Sequence, residues 1–234
     1  MSVRLDVLAD PAAACAELMV SAAEAGGHIV LTGGSTPRDA YEQAASKRDA
    51  WRDATLWFGD ERCVAADDDL SNFKLADEAL FKRLGDIRPT VHRMRGELGP
   101  VEAADEYERE LLDAGPPRFE LLLLGLGPDA HIASLFPDQE SLSERSRLVV
   151  GVEQAGHEPF VSRVSMTLKA LALAQSIVFL VAGESKAEAV AEAFGPEAKP
   201  DRHYPASLLP PLVDNVTVLL DQAAASRIPA GEAS

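Results

Sequence analysis

The sequence predicts an α/β fold with a doubly wound, mostly parallel sheet and helices on both faces. Three observations carry that expectation. Short apolar runs such as HIVL, TLWF, ELLLLGLG and SIVFLVAG alternate with amphipathic stretches, the order that βαβ units produce. The runs are continuous rather than alternating, as in strands covered on both faces. Several of them also stop at a glycine followed by hydroxyl or ionisable residues. In open parallel sheets, ligands bind beyond the carboxyl ends of the strands.

Each element has its own justification. VRLDVL (3–8) reads as an edge strand. Asp10-Pro11 supplies an N-cap and an N1 proline for a helix over 12–25, which Gly26-Gly27 ends. HIVLTGG is a buried strand, and STPRDAYEQAAS the helix after it. ATLWFGDER is a third strand, and Ser71 caps a helix running to Leu84. EAADEYERELLD is helical, and FELLLLGLG is the central strand. Residues 138–162 are polar, broken by Gly and Pro, and carry no defined element; a polar connection of that length near the site makes a lid a reasonable idea that the sequence does not decide. RVSMTL and SIVFLVAG then read as strands, ESKAEAVAEAF as a helix with an acidic first turn, NVTVLLD as the last strand and QAAAS as a short helix.

A chain of 234 residues with 47% hydrophobic content is sized for one domain, 1–234, with one sizeable core. No repeat, low-complexity tract or linker divides it. The net charge of −16, from 38 acids against 22 bases, argues against nucleic acid or an anionic membrane as partner, since both need a basic face. A small anionic substrate stays open, because a few clustered cations can outweigh the global charge inside a pocket. Cys15 and Cys63 form no CxxC motif and read as reduced thiols. The N-terminus has no secretory pattern, and no apolar stretch approaches the roughly 18 residues that span a bilayer. A cytoplasmic protein, monomeric or a small homo-oligomer, is expected.

Four strand ends deliver chemistry to one rim: Thr32-Gly33-Gly34-Ser35-Thr36-Pro37, Gly59-Asp60-Glu61-Arg62, Pro128-Asp129-Ala130-His131 and Gly183-Glu184-Ser185-Lys186. The first reads either as a tight strand-to-helix turn capped by Ser35 or Thr36, or as an anion loop offering free amides at a helix N-terminus. It is neither a Walker loop nor a complete GxGxxG. In the second, Arg62 could offer a fixed fork of donors to phosphate or an oxyanion, with Asp60 or Glu61 orienting it or bonding sugar hydroxyls. A loop ion pair is the alternative. Lys186 in a first helical turn is slightly unfavourable to the dipole, which favours an anionic ligand. His131 with Asp129 could suggest metal ligands, but no further His or Cys cluster supports a metal. His28, His92, His157 and His203 have no reactive neighbours in sequence and read as structural or surface residues.

LTGGSTP, GDER with Ser71-Asn72, ELLLLGLGPDAHIASLFP, RVSMTL, GESK and YPASLL occur in that order across nearly the whole chain. Together they resemble the 6-phosphogluconolactonase family of short bacterial type. The resemblance implies a fold shared with glucosamine-6-phosphate deaminase and ribose-5-phosphate isomerase. It also implies cofactor-free hydrolysis of 6-phosphogluconolactone to 6-phosphogluconate in the pentose phosphate pathway. The family's signature histidine falls on His131, which the resemblance makes the general base on water, with Asp129 its signature neighbour. The arginine of the Asp-Glu-Arg motif falls on Arg62, later basic positions on Arg163 and Lys186, and the glycine-hydroxyl loop on Gly33, Gly34, Ser35 and Thr36. Asp60, Glu61 and Asn72 join these as substrate-binding candidates. An imidazole suits proton abstraction near neutral pH and return of the proton to the leaving ring oxygen, and no Ser-His-Asp pattern supplies a covalent nucleophile.

The chain departs from the family pattern in three places. Ala130 stands where glycine is usual, Ile132 where threonine is usual, and Ala65 replaces a proline. A left-handed backbone at 130 would cost alanine about 1–2 kcal/mol or re-aim His131. Two rivals are a deaminase or isomerase on the same fold, and a sugar-phosphate-binding protein that has lost catalysis. Ile132 leans towards the deaminases, but their signature needs an acid five residues after the histidine, where Phe136 stands.

Overall fold

The computed structural model describes residues 3–115, 118–229 and 231. The first half of the chain runs β1 (Val3–Val7), α1 (Pro11–Glu24), β2 (His28–Leu31), α2 (Ser35–Ala44), β3 (Thr55–Phe58), β4 (Asp60–Arg62), α3 (Asn72–Ala79), β5 (Thr90–Val91) and α4 (Pro100–Asp113). It continues through β6 (Leu121–Leu124), β7 (Val149–Val152), β8 (Arg163–Met166), α5 (Leu168–Leu171), β9 (Ile177–Val181), α6 (Ala187–Phe194) and β10 (Val216–Leu220).

Seven strands form one parallel sheet in the order β1-β10-β9-β6-β2-β3-β5. From the centre the chain winds outwards through β2, β3 and β5 on one side, and through β6, β9 and β10 on the other. The reversal lies between β2 and β6. Right-handed crossovers then put α2 and α6 on opposite faces. All residues of β6, β9 and β10 are buried, which is why these runs are apolar without alternation. Each fully buried leucine contributes about 1.5–3 kcal/mol. As expected, Asp10 caps α1, its side chain accepting from Ala13 N at 2.9 Å, and Ser71 caps α3, accepting from Lys74 N at 3.2 Å. Among the described residues, no helix is long and apolar enough to cross a membrane.

Four expectations need correction. ATLWFGDER is not one strand: the chain leaves the large sheet at Gly59, and β4 pairs antiparallel with β8. RVSMTL is a strand as expected, β8, and forms the middle of this second sheet, β4-β8-β7. The third member, β7, lies in the 138–162 stretch read as carrying no element; its run of four is interrupted by Gly151. That glycine is needed because a Cβ there would press on the Pro100 backbone at 2.7 Å. The helix after Ser71 stops at Ala79, and Phe81–Leu84 form a tighter turn closed by Gly85 at φ +70°. QAAAS forms turns only, being too short to nucleate a helix unaided.

The end of β2 is held from the side. The Tyr41 hydroxyl of α2 accepts from Thr32 N at 2.9 Å and donates to Thr32 O at 2.7 Å. Burial pushes its phenol far above the ordinary value, so it stays a neutral donor. Tyr41→Phe leaves both buried backbone groups of Thr32 unpaired. We expect a loss of about 1–3 kcal/mol in urea unfolding, with an unchanged m-value.

Candidate active site

The reversal between β2 and β6 opens a cleft of about 220 Å³ at the carboxyl ends of the strands. The two loops that leave these strands approach closely; a Cβ on Gly125 would stand 4.0 Å from Gly33 O. Thr32, Gly33 and Gly34 form one wall and residues 125–128 the other. Gly34 sits at φ +112° and takes the N-cap position of α2 without a side-chain bond. The expected cap by Ser35 or Thr36 is thus corrected: Ser35 is the first helical residue and is exposed. The cleft is lined by Thr32, Gly33 and Gly34 of this loop and not by Ser35 or Thr36.

His131 follows β6 on a tight loop. Gly127 N donates to His131 O at 3.0 Å, and Ala130 N donates to Gly127 O at 3.0 Å. This folds the Asp129 and His131 side chains back over Gly127, where any Cβ would overlap the imidazole. Nδ1 of His131 lies 2.5 Å from Asp129 Oδ1, which also accepts His131 N at 3.2 Å. Burial pushes the Asp129 carboxyl up, but the hydrogen bond and charge of His131 outweigh it, and the net shift is downwards. The carboxylate therefore stays charged and accepts a hydrogen bond from Nδ1–H, which leaves Nε2 as the basic nitrogen. Phe136 packs on the ring, centroids 4.7 Å apart.

Three cations line the same cleft: Arg62, Arg163 and Lys186. Arg62 and Arg163 are direct cross-strand partners in the small sheet. Like charges in that position repel. Burial first, then the charge of Arg62, lowers the pKa of Arg163. Arg163 is tied by its Nε to Val161 O at 3.1 Å and its Nη2 to Pro159 O at 2.7 Å. Arg62 gives Nη1 to Leu70 O at 2.5 Å, while its buried Nε has no partner. Burial also lowers the Lys186 ammonium, opposed by the charge of Asp129.

Asp60 ties these parts together. Its Oδ1 accepts from Asn72 Nδ2 at 3.0 Å and its Oδ2 from Ser134 Oγ at 2.6 Å. Ser134 N in turn donates to Ser165 Oγ at 3.1 Å. One buried carboxylate thus joins the His131 loop, α3 and β8. The Asn72 carboxamide packs against Gly33, where a side chain would collide with it. Glu61 points its carboxylate to the start of α3, accepting from the backbone of Asn72 and Phe73, both at 2.8 Å, and from Ser71 Oγ at 3.0 Å. Burial nevertheless pushes its pKa up.

Of the residues singled out in the sequence, His131, Arg62, Asp60, Asn72, Gly33, Gly34, Arg163 and Lys186 line the cleft, with Asp129 behind His131. Ser35, Thr36 and Glu61 do not line it. His157, read as structural or surface, does line it, as does Glu158. Ser134 and Ser165 went unnoticed too; both sit in apolar-looking runs, and only their pairing across the fold reveals them. Among the described residues, no three His, Cys, Asp or Glu side chains are grouped to hold a metal ion.

A family model described as glucosamine-6-phosphate isomerases/6-phosphogluconolactonase matches residues 5–218. The chain belongs to this family. A 6-phosphogluconolactonase of Synechocystis is 37% identical over 204 residues, covering 84% of this chain and 83% of its own length. One of Mycobacterium leprae is 38% identical over 214 residues, covering 86% and 85%. The crystal structure of 6-phosphogluconolactonase from Leishmania guyanensis superposes with a TM-score of 0.87 at 25% identity, covering 98% of this chain and all of that one.

Against the family pattern, Ala130 is the departure that matters, and its φ is +60°. The left-handed conformation, costing about 1–2 kcal/mol for alanine, is held by the Gly127 turn and by Ala206 N donating to Ala130 O at 3.0 Å. Ile132 is fully buried, so its apolar side chain serves the core and not the cleft. Ser134→Ala removes the tether between the His131 loop and Asp60. We expect a loss of about 1–3 kcal/mol in thermal or urea unfolding, because a buried carboxylate oxygen is left without its donor.

Proposed function

We propose that this cleft hydrolyses 6-phosphogluconolactone to 6-phosphogluconate, with His131 as the base that activates water. The observation that carries the reading is the joint placement in one cleft of a carboxylate-pinned imidazole and three cations. His131 Nε2 takes a proton from water as its oxygen adds to the lactone carbonyl. Asp129 holds the ring in the productive tautomer and stabilises the imidazolium that forms. The carbonyl oxygen gains negative charge, and a guanidinium or backbone amide aimed at it lowers the barrier further. The C1–O5 bond then breaks and the ring oxygen takes up a proton. The remaining cations and the amides before α2 hold the phosphate, which fixes where the carbonyl sits.

The substrate is a small phosphorylated sugar lactone, and the cations offset the acidity of the chain only where that anion binds. Both cysteines, Cys15 and Cys63, are free, which suits a reducing cytoplasm, where this reading places the protein. The deaminase alternative lacks its acid. Phe136 occupies that position, 2% exposed and packed on His131.

Turnover of 6-phosphogluconolactone above the spontaneous background tests the reading, with His131→Ala beside the parent. We expect kcat to fall roughly 10²–10⁴-fold in the variant while 6-phosphogluconate still binds. No turnover by the parent protein overturns the reading.

A further inference from the structure

Hydrolysis of a lactone moves two protons: one leaves the attacking water, and one reaches the ring oxygen as C1–O5 breaks. Both oxygens are bonded to the same carbon, so one imidazole can serve them in turn, or two groups can share them if they stand a small-molecule width apart. His131 is pinned by a 2.5 Å bond to Asp129, which restricts how far its Nε2 can swing from one oxygen to the other.

A second imidazole stands beside it. His157 lines the cleft, half-buried, with its ring centroid 5.7 Å from that of His131. Its Nδ1 lies 3.0 Å from Glu158 O. A carbonyl only accepts, so Nδ1 carries the proton and Nε2 is the exchangeable nitrogen. The segment that bears it is anchored beneath the site. Gly156 packs on Phe136, where a Cβ would come within 2.9 Å, and Phe136, Val152 and Ala155 form a small apolar cluster of their own. Arg163 holds the same segment through Pro159 O and Val161 O.

We propose, on the lactonase reading above, that His157 is the general acid that protonates the leaving ring oxygen. In the first step His131 Nε2 takes a water proton, the water oxygen bonds to C1, and the carbonyl electron pair moves to its oxygen. In the second the carbonyl re-forms, the C1–O5 pair goes to O5, and O5 takes the Nε2 proton of cationic His157. His157 is left neutral with its proton on Nδ1, the tautomer that Glu158 O holds. The product carboxyl ionises to solvent, His131 gives its extra proton to solvent, and His157 takes one up from it. The charged and titratable groups on the cleft around His157 are Glu158 on its own segment, Asp129 behind His131, and Arg62, Arg163, Lys186 and Asp60 from the other walls.

The test is kcat at saturating 6-phosphogluconolactone across pH, background subtracted, for the parent and His157→Gln. Saturation removes changes that act through phosphate affinity, such as titration of Lys186. A base must be unprotonated and an acid protonated, so the parent should lose rate towards both low and high pH. In His157→Gln we expect kcat at least tenfold lower, the alkaline fall abolished, and the affinity for 6-phosphogluconate within twofold. Unchanged kcat, a retained alkaline limb, or a loss confined to KM and product affinity overturns the proposal. The parent's own rate decides the lactonase reading separately. If the parent is inactive, that reading fails and this proposal with it; an active parent with an indifferent variant sinks only the role of His157.

Discussion

A parallel sheet that winds both ways from its middle has one place where neighbouring crossovers leave to opposite faces, and there the strand ends are left uncovered. In this protein that place is the β2/β6 boundary, and the rest of the site is arranged around it. The gap is narrow, so the chain must pass it with little side-chain bulk. Gly33, Gly125 and Gly127 do so, and two of the three have their missing side chain replaced by a functional group: the Asn72 carboxamide lies against Gly33 and the His131 imidazole over Gly127. The glycines therefore serve close packing of chemistry more than chain reversal.

The second sheet supplies what the gap lacks. By leaving the large sheet at Gly59, the chain turns β4 against β8 and brings Asp60, Arg62, Arg163 and Ser165 to the open strand ends. Asp60 is the fastening. Its two oxygens are used by α3 and by the His131 loop, so that loop, α3 and the small sheet are fastened at one buried carboxylate. The cross-strand pair Arg62 and Arg163 stores repulsion that an anion relieves. The same logic reconciles a strongly acidic chain with an anionic substrate: the field that matters is local and set by buried groups.

Much of this was legible in the sequence because the signals are local. Continuous apolar runs marked β2, β3, β6, β9 and β10, and Asp10 and Ser71 marked helix starts through hydrogen bonds three residues long. The candidate residues Asp129, His131, Arg62 and Lys186 were legible from strand-end position and family resemblance together, and Arg163 from the resemblance alone. What escaped was non-local. Ser134 and Ser165 are ordinary small residues until the fold sets them 31 positions apart in one hydrogen bond. His157 follows a Gly in a polar stretch, and only the packing of Gly156 on Phe136 brings it to the cleft. Glu61 shows the opposite error. An acid beside a candidate arginine invited a substrate role, yet its carboxylate serves the amides at the start of α3.

A crystal structure with 6-phosphogluconate bound tests most directly whether the β2/β6 cleft holds the sugar phosphate with its carboxyl end on His131. We expect the product carboxylate within hydrogen-bond reach of His131 Nε2, and the phosphate on the arginine and lysine side chains and the amides before α2. A product molecule seated outside this cleft, or turned so that its phosphate meets His131, would contradict it.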